Sequence, residues 1–104
     1  MPQFSLYKNI NEQTKDACPY LLDVQNDLLH GLNTRVVIPM SPSSKIGKKP
    51  IGNLTPQFEI KGTLHTLLTP QLAGIAISDL GPIAGNLTGF RFEIIHALDF
   101  LFTG

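Results

Sequence analysis

The stretch Glu93–Gly104, EIIHALDFLFTG, constrains the fold more than any other part of the chain. It reads as a terminal helix. At about 100° per residue, His96, Asp99 and Thr103 fall on one narrow stripe, with Phe92 in line above them. Nearly everything else nearby is apolar: Phe90, Ile94, Ile95, Ala97, Leu98, Phe100, Leu101 and Phe102. A surface helix usually carries an apolar stripe about 100° wide. This one is apolar over more than half its circumference. One side can pack on the chain's own core; the other needs a second cover, because an unheld terminus frays into water. The simplest cover is the same helix of a twin subunit across a two-fold axis, since isologous dimers are the commonest oligomers. The alternative is a helix sunk deep inside its own sheet.

What precedes the helix is short and strand-like. Gln3 to Tyr7 alternates, with Phe4 and Leu6 on one face. Tyr20 to Leu29 begins as a strand, Leu22 and Val24 pointing one way and Leu21, Asp23 and Gln25 the other. Arg35 to Met40 is β-branched and apolar, the pattern of a buried central strand, with Pro39 expected at its end or at a bulge. Gln57 to Leu68 reads as a hairpin turning at Lys61-Gly62. One more strand is expected around Ile75 and Ile77, then a Gly/Pro-rich connection from Asp79 to Gly85. Thr88 is a fair N-cap for the helix, without a capping box because Arg91 stands where Glu would. Five or six strands and one terminal helix over residues 1–104 predict a single, mainly β domain with a C-terminal α-helix.

Charge narrows the function. Lys and Arg total eight, as do Asp and Glu, so there is no basic excess of the kind that phosphate backbones demand. The densest basic run, Lys45, Lys48 and Lys49, sits among Gly, Ser and Pro and reads as a solvated loop within Ser41–Asn53. Charged residues make up only 15% of the chain, against a usual quarter or so, which leaves a partly apolar surface and points again to self-association. The lone cysteine, Cys18, fits a reducing cytosol and has no base beside it to make it a nucleophile. The start of the chain lacks a basic, apolar leader, and no run approaches the ~20 apolar residues that span a bilayer. A cytoplasmic location is therefore expected, where the Asn-Leu-Thr triplets at Asn53 and Asn86 never meet the glycosylation machinery.

Catalytic patterns are missing. His30, His65 and His96 have no metal-ligand spacing to one another or to Cys18. His96 with Asp99 is an i, i+3 pair on a helix, without a nucleophile placed beside it. The glycines around Lys48 do not form a phosphate-cradling loop. Neither a metal nor a cofactor is expected, and the chain reads as a binding protein rather than an enzyme.

Several stretches then carry a family resemblance. Gln3, Phe4 and Tyr7 form a QF-x-x-Y opening. Asp23, Val24, Gln25, Asn26 and Asp27 are followed by two aliphatics, Leu28 and Leu29. Arg35 to Met40 is an Arg-x-x-Ile-Pro strand. With the terminal helix, the chain resembles the CcdB family, the toxin half of type II toxin–antitoxin modules. The resemblance implies a small SH3-like β-barrel with a C-terminal helix, an architecture shared with MazF-type toxins, assembled as a homodimer. It also implies a function: binding the DNA gyrase A subunit and trapping the cleaved DNA–gyrase complex, with neutralisation by a CcdA-like antitoxin whose disordered tail folds on the toxin. DNA would be met only through gyrase, or as part of a toxin–antitoxin repressor complex.

Carried over by position, the gyrase face comprises Thr103, Gly104, Asp99, His96, Asn26, Leu28 and Leu29, and the dimer interface Leu98, Leu101 and Phe102. The family typically ends Trp-Gly-Ile. Here Trp becomes Thr103, Gly stays as Gly104, and Ile is absent; His96 and Asp99 stand where amides are usual. Threonine cannot stack on a guanidinium, a contact worth roughly 0.5–2 kcal/mol. Two further readings stay open: a non-toxic homologue that binds antitoxin as a decoy, and a MazF-like endoribonuclease in which Arg35 would stabilise a phosphate.

Overall fold

The computed structural model describes residues 2–29, 31–46 and 51–104. Its elements run β1 (Ser5–Asn9), β2 (Tyr20–Asp23), β3 (Thr34–Pro42), β4 (Gln57–Ile60), β5 (Thr63–Leu67), β6 (Ala73–Ala76), β7 (Leu80–Asn86) and α1 (Arg91–Thr103). The strands form one sheet in the order β4-β5-β3-β2-β1-β7, with β6 paired to β3 beside that path. Every pairing is antiparallel. This is the mainly β architecture with a C-terminal helix that the sequence predicts.

β3 is the spine, as its apolar run requires. One edge pairs β2 from Tyr20↔Met40 to Asp23↔Val37. The other pairs β6 from Thr34 to Val37 and β5 from Met40 to Pro42. Pro39 is not at the strand's end as expected. It lies within β3, opposite Leu21, in the gap where β6 leaves off and β5 begins. Its carbonyl accepts the Leu68 amide at 3.0 Å. The nitrogen of a strand residue points to the same side as its carbonyl, so the missing N–H faces that gap and costs the ladder nothing.

The hairpin turns where expected. Lys61 and Gly62 both have positive φ, 51° and 82°, the pairing of a two-residue primed turn whose twist matches the strands. Other expectations shift. β1 begins at Ser5 rather than Gln3, because Phe4 has a left-handed φ of 68° that interrupts the extended chain. Phe4 is held there by its amide on Asp23 O (2.6 Å) and its carbonyl on the Leu87 amide (2.8 Å). Ile77 falls in a 3-10 turn, Ile77–Asp79, instead of a strand. The Gly/Pro-rich segment read as a connection is strand β7, paired with β1. Thr88 does not cap α1: it opens a 3-10 turn, Thr88–Phe90, and its hydroxyl bonds Asn86 instead. Lys48, Lys49 and His30 lie outside the described residues.

The core sits between the sheet and the helix. Phe4, Leu6, Leu22, Val24, Ile38, Met40, Phe58, Ile60, Leu67, Leu87 and Ile94 form one buried cluster. Leu22 and Val24 thus share the inner face, as alternation predicts. The opposite face of β2 and β3 is also covered: Leu21, Asp23, Gln25, Arg35 and Val37 are buried there.

Candidate partner-binding surface

Helix α1 joins the core through a narrow face. Ile94 and Ala97 are buried, while Ile95 and Leu98 pack against the cluster partly buried and Leu101 is half-buried. The rest of the apolar circumference is bare: Phe92 is 86% exposed, Phe102 70% and Phe100 42%. His96, Asp99 and Thr103 are exposed on the same outer stripe as Phe92. The helix is therefore not sunk in its own sheet, and one protomer leaves its outer side uncovered. Of the residues expected at a dimer interface, Leu98 and Leu101 are half-buried and Phe102 is open.

The helix end is closed locally. Thr103 donates its hydroxyl to Asp99 O at 2.7 Å. Gly104 takes a φ of 72° and donates its amide to Phe100 O at 3.1 Å. That left-handed closure is one only glycine adopts without strain, which gives Gly104 a local reason.

The second group, Asn26, Leu28 and Leu29, occupies the 3-10 turn Asp27–Leu29 and its lead-in. Leu28 is 86% exposed and Leu29 49%. The turn is anchored from beneath. Asp23 and Arg35 are both fully buried and form an ion pair, Nε to Oδ2 at 2.7 Å. Asp23 Oδ1 accepts the Gln25 amide (3.0 Å) and Arg35 Nη2 donates to the Gln25 carbonyl (3.3 Å). A guanidinium used in this way is not presented to solvent, so Arg35 does not offer the phosphate-binding group that the ribonuclease reading needs.

The two groups are not gathered at one point within a protomer. Gln3 is the link. It donates its amide to Asp27 Oδ1 (2.6 Å) and accepts from Arg91, the first residue of α1, at 3.5 Å. Arg91 also lies over the Phe4 ring, 5.6 Å from its centroid. The Asn26–Leu29 turn is thus tied to the start of the helix, whereas Asp99, Thr103 and Gly104 stand at its end. Gln3, Phe4 and Arg91 are joining residues that spacing alone did not reveal; the QF opening was the available signal.

Other chemistry-bearing residues lie apart. Cys18 is half-buried, and burial pushes its thiol pKa up, the wrong direction for a nucleophile. Burial likewise raises the Tyr7 phenol, against a lowering hydrogen bond from Ser5. His65 is buried, its Nδ1 2.8 Å from Thr63 O and its ring edge-on to Tyr20. A cavity of about 490 Å³ on the sheet's outer face is lined by Leu21, Val37, Pro39, Ala73, Ile75, Cys18 and Asp79, among others. Among the described residues, no three His, Cys, Asp or Glu side chains gather as a metal site, and no helix is long and apolar enough to cross a membrane.

A curled antiparallel sheet and one C-terminal helix define the class: a small mainly β protein whose helix leaves aromatic residues uncovered. Residues 3–104 match the family model described as CcdB protein, and the chain belongs to that family. It is accordingly a toxin of the toxin–antitoxin kind. No curated protein matches the chain.

Proposed function

We propose that this toxin is a poison of DNA gyrase: it binds the A subunit and holds the enzyme on cleaved DNA, performing no bond chemistry itself. Family membership over nearly the whole chain is the observation that carries this reading. The exposure of Phe92, Phe100 and Phe102 around one helix supports a protein contact, since bare aromatic surface of this kind is what a partner covers. In this reading His96, Asp99, Thr103 and Gly104 meet gyrase from the helix end, and Asn26, Leu28 and Leu29 meet it from the braced turn. Twin helices pack through Leu98, Leu101 and Phe102 in a homodimer. A CcdA-like antitoxin covers the toxin, and the pair binds DNA as a repressor.

One observation favours a second reading. The Thr103 hydroxyl is turned back onto Asp99 O, so this position offers neither a stacking ring nor a free donor. A toxin homologue that captures antitoxin without killing fits that tip.

A cleavage assay separates the two. The purified protein is mixed with gyrase, supercoiled plasmid and ATP, then denatured. Linear DNA that accumulates with dose, and disappears with Gly104→Glu, is the expected result. Absence of linear DNA at high dose, with antitoxin binding intact, sinks the gyrase reading and leaves the decoy.

A further inference from the structure

Leu28 is almost fully exposed, yet the turn that carries it stands on a buried and fully bonded residue, Gln25. Gln25 is buried, and all four of its hydrogen-bonding groups are engaged. Its amide donates to Asp23 Oδ1 and its carbonyl accepts from Arg35 Nη2. Its side-chain Oε1 accepts the Val36 amide at 3.0 Å, and its Nε2 donates to the Leu29 carbonyl at 3.1 Å. The carboxamide therefore spans from the spine strand β3 to the end of the turn. The turn closes on itself with Leu28 N on Asn26 Oδ1 (2.9 Å) and Leu29 N on Asn26 O (2.9 Å).

These bonds add no burial to Leu28. What they fix is the place of two leucine side chains relative to β3. A contact surface whose geometry exists before binding avoids the ordering cost of assembling it afterwards. We infer that Gln25 is a positioning residue of the contact surface: its carboxamide sets the turn, and the turn presents Leu28 and Leu29 ready-made to the partner. The inference rests on the gyrase reading for the partner's identity, and on the bonds above for everything else.

Two substitutions probe it. Gln25→Glu keeps an acceptor for the Val36 amide but sets an oxygen against the Leu29 carbonyl, pushing the turn open. Gln25→Met is uncharged, of similar volume, and removes both side-chain bonds. Each is combined with the double change Leu28→Ala and Leu29→Ala, and affinity for purified gyrase A subunit is measured alongside a thermal melt. Loss of the Leu29 bond, common to both variants, predicts an affinity at least about tenfold weaker. If Gln25 acts through the two leucines, the Gln25 change costs little more once both are already alanine. Equal losses in both backgrounds overturn the proposal, because a merely structural effect ignores what residues 28 and 29 are. Failure of the unmutated protein to bind gyrase A sinks the gyrase reading and this proposal together, and shows before any variant is made. Amide exchange gives a check that needs no variant. The Leu29 amide is expected to be protected in the free protein, and exchange at open-chain rates overturns the preformed turn.

Discussion

At the scale of single residues, the buried Asp23–Arg35 pair decides most. Both side chains are fully excluded from solvent, and their contact is 2.7 Å. Desolvating two charges costs so much that such a pair is weak evidence for stability, yet removing one partner strands the other. The expected outcome is asymmetric. Asp23→Ala takes away the counter-charge of Arg35 and the acceptor of the Gln25 amide, and should cost about 3–5 kcal/mol in urea unfolding. The double change Asp23→Val with Arg35→Met removes both charges and should be less destabilising than Asp23→Ala, short of full recovery because the buried Gln25 amide and carbonyl lose their partners. If the double variant is as unstable as the single one, the pair is worth more than its desolvation and the reasoning fails. The same burial bears on function: the one arginine of β3 is spent on holding Gln25.

At the scale of elements, glycine content misleads and close approach explains why. Leu80–Asn86, LGPIAGN, has two glycines and a proline, so it reads as a connection; it is an edge strand, where proline is tolerated. Gly81 is required there. A Cβ at that position would stand 2.5 Å from Lys8 O and 2.8 Å from Ile10 Cγ2, so β1 comes too near for any side chain. Gly81→Ala should therefore destabilise by about 1–3 kcal/mol, as overpacking does. Gly74→Ala in β6, whose Cβ would meet nothing within 4 Å, should be neutral or stabilising by up to about 1 kcal/mol. Equal melting temperatures for the two variants would contradict the contact. Periodicity did make β2, β3 and the β4–β5 hairpin legible, because alternation and the Lys61-Gly62 turn are local signals. Pro39 inside β3, the left-handed Phe4 and strand β7 were not, because each depends on a neighbour distant in sequence. The site divides the same way. The stripe of Phe92, His96, Asp99 and Thr103 follows from helical spacing alone, whereas the support of Leu29 by Gln25 and of Asp27 by Gln3 runs through side chains that no spacing rule connects.

At the scale of the whole molecule, the outer face of α1 asks for a cover. Phe92, Phe100 and Phe102 stand exposed on one helix of a chain with no net charge and few charged residues to keep copies apart. Burying an aromatic or aliphatic side chain of this size is worth roughly 1.5–3 kcal/mol each. Two helices meeting across a two-fold axis through Leu98, Leu101 and Phe102 bury Phe102 in both copies and leave the stripe of Phe92, His96 and Asp99 open for a different partner. The expected state in solution is a dimer, measured by light scattering as twice the 11.4 kDa chain mass. Phe102→Asp, placing a charge in that interface, should shift the protein to monomer at micromolar concentration. Leu64→Asp is the control: Leu64 is an exposed leucine of β5, at 46%, in the hairpin at the far edge of the sheet order. It should leave the dimer intact. A parent protein that is monomeric at tens of micromolar, or a Leu64 variant that dissociates as readily as the Phe102 one, would mean the helix face is reserved for a different partner. A dimer that depends on Phe102 would instead set two Thr103-Gly104 ends beside one another, and gyrase would meet a paired tip rather than a single one.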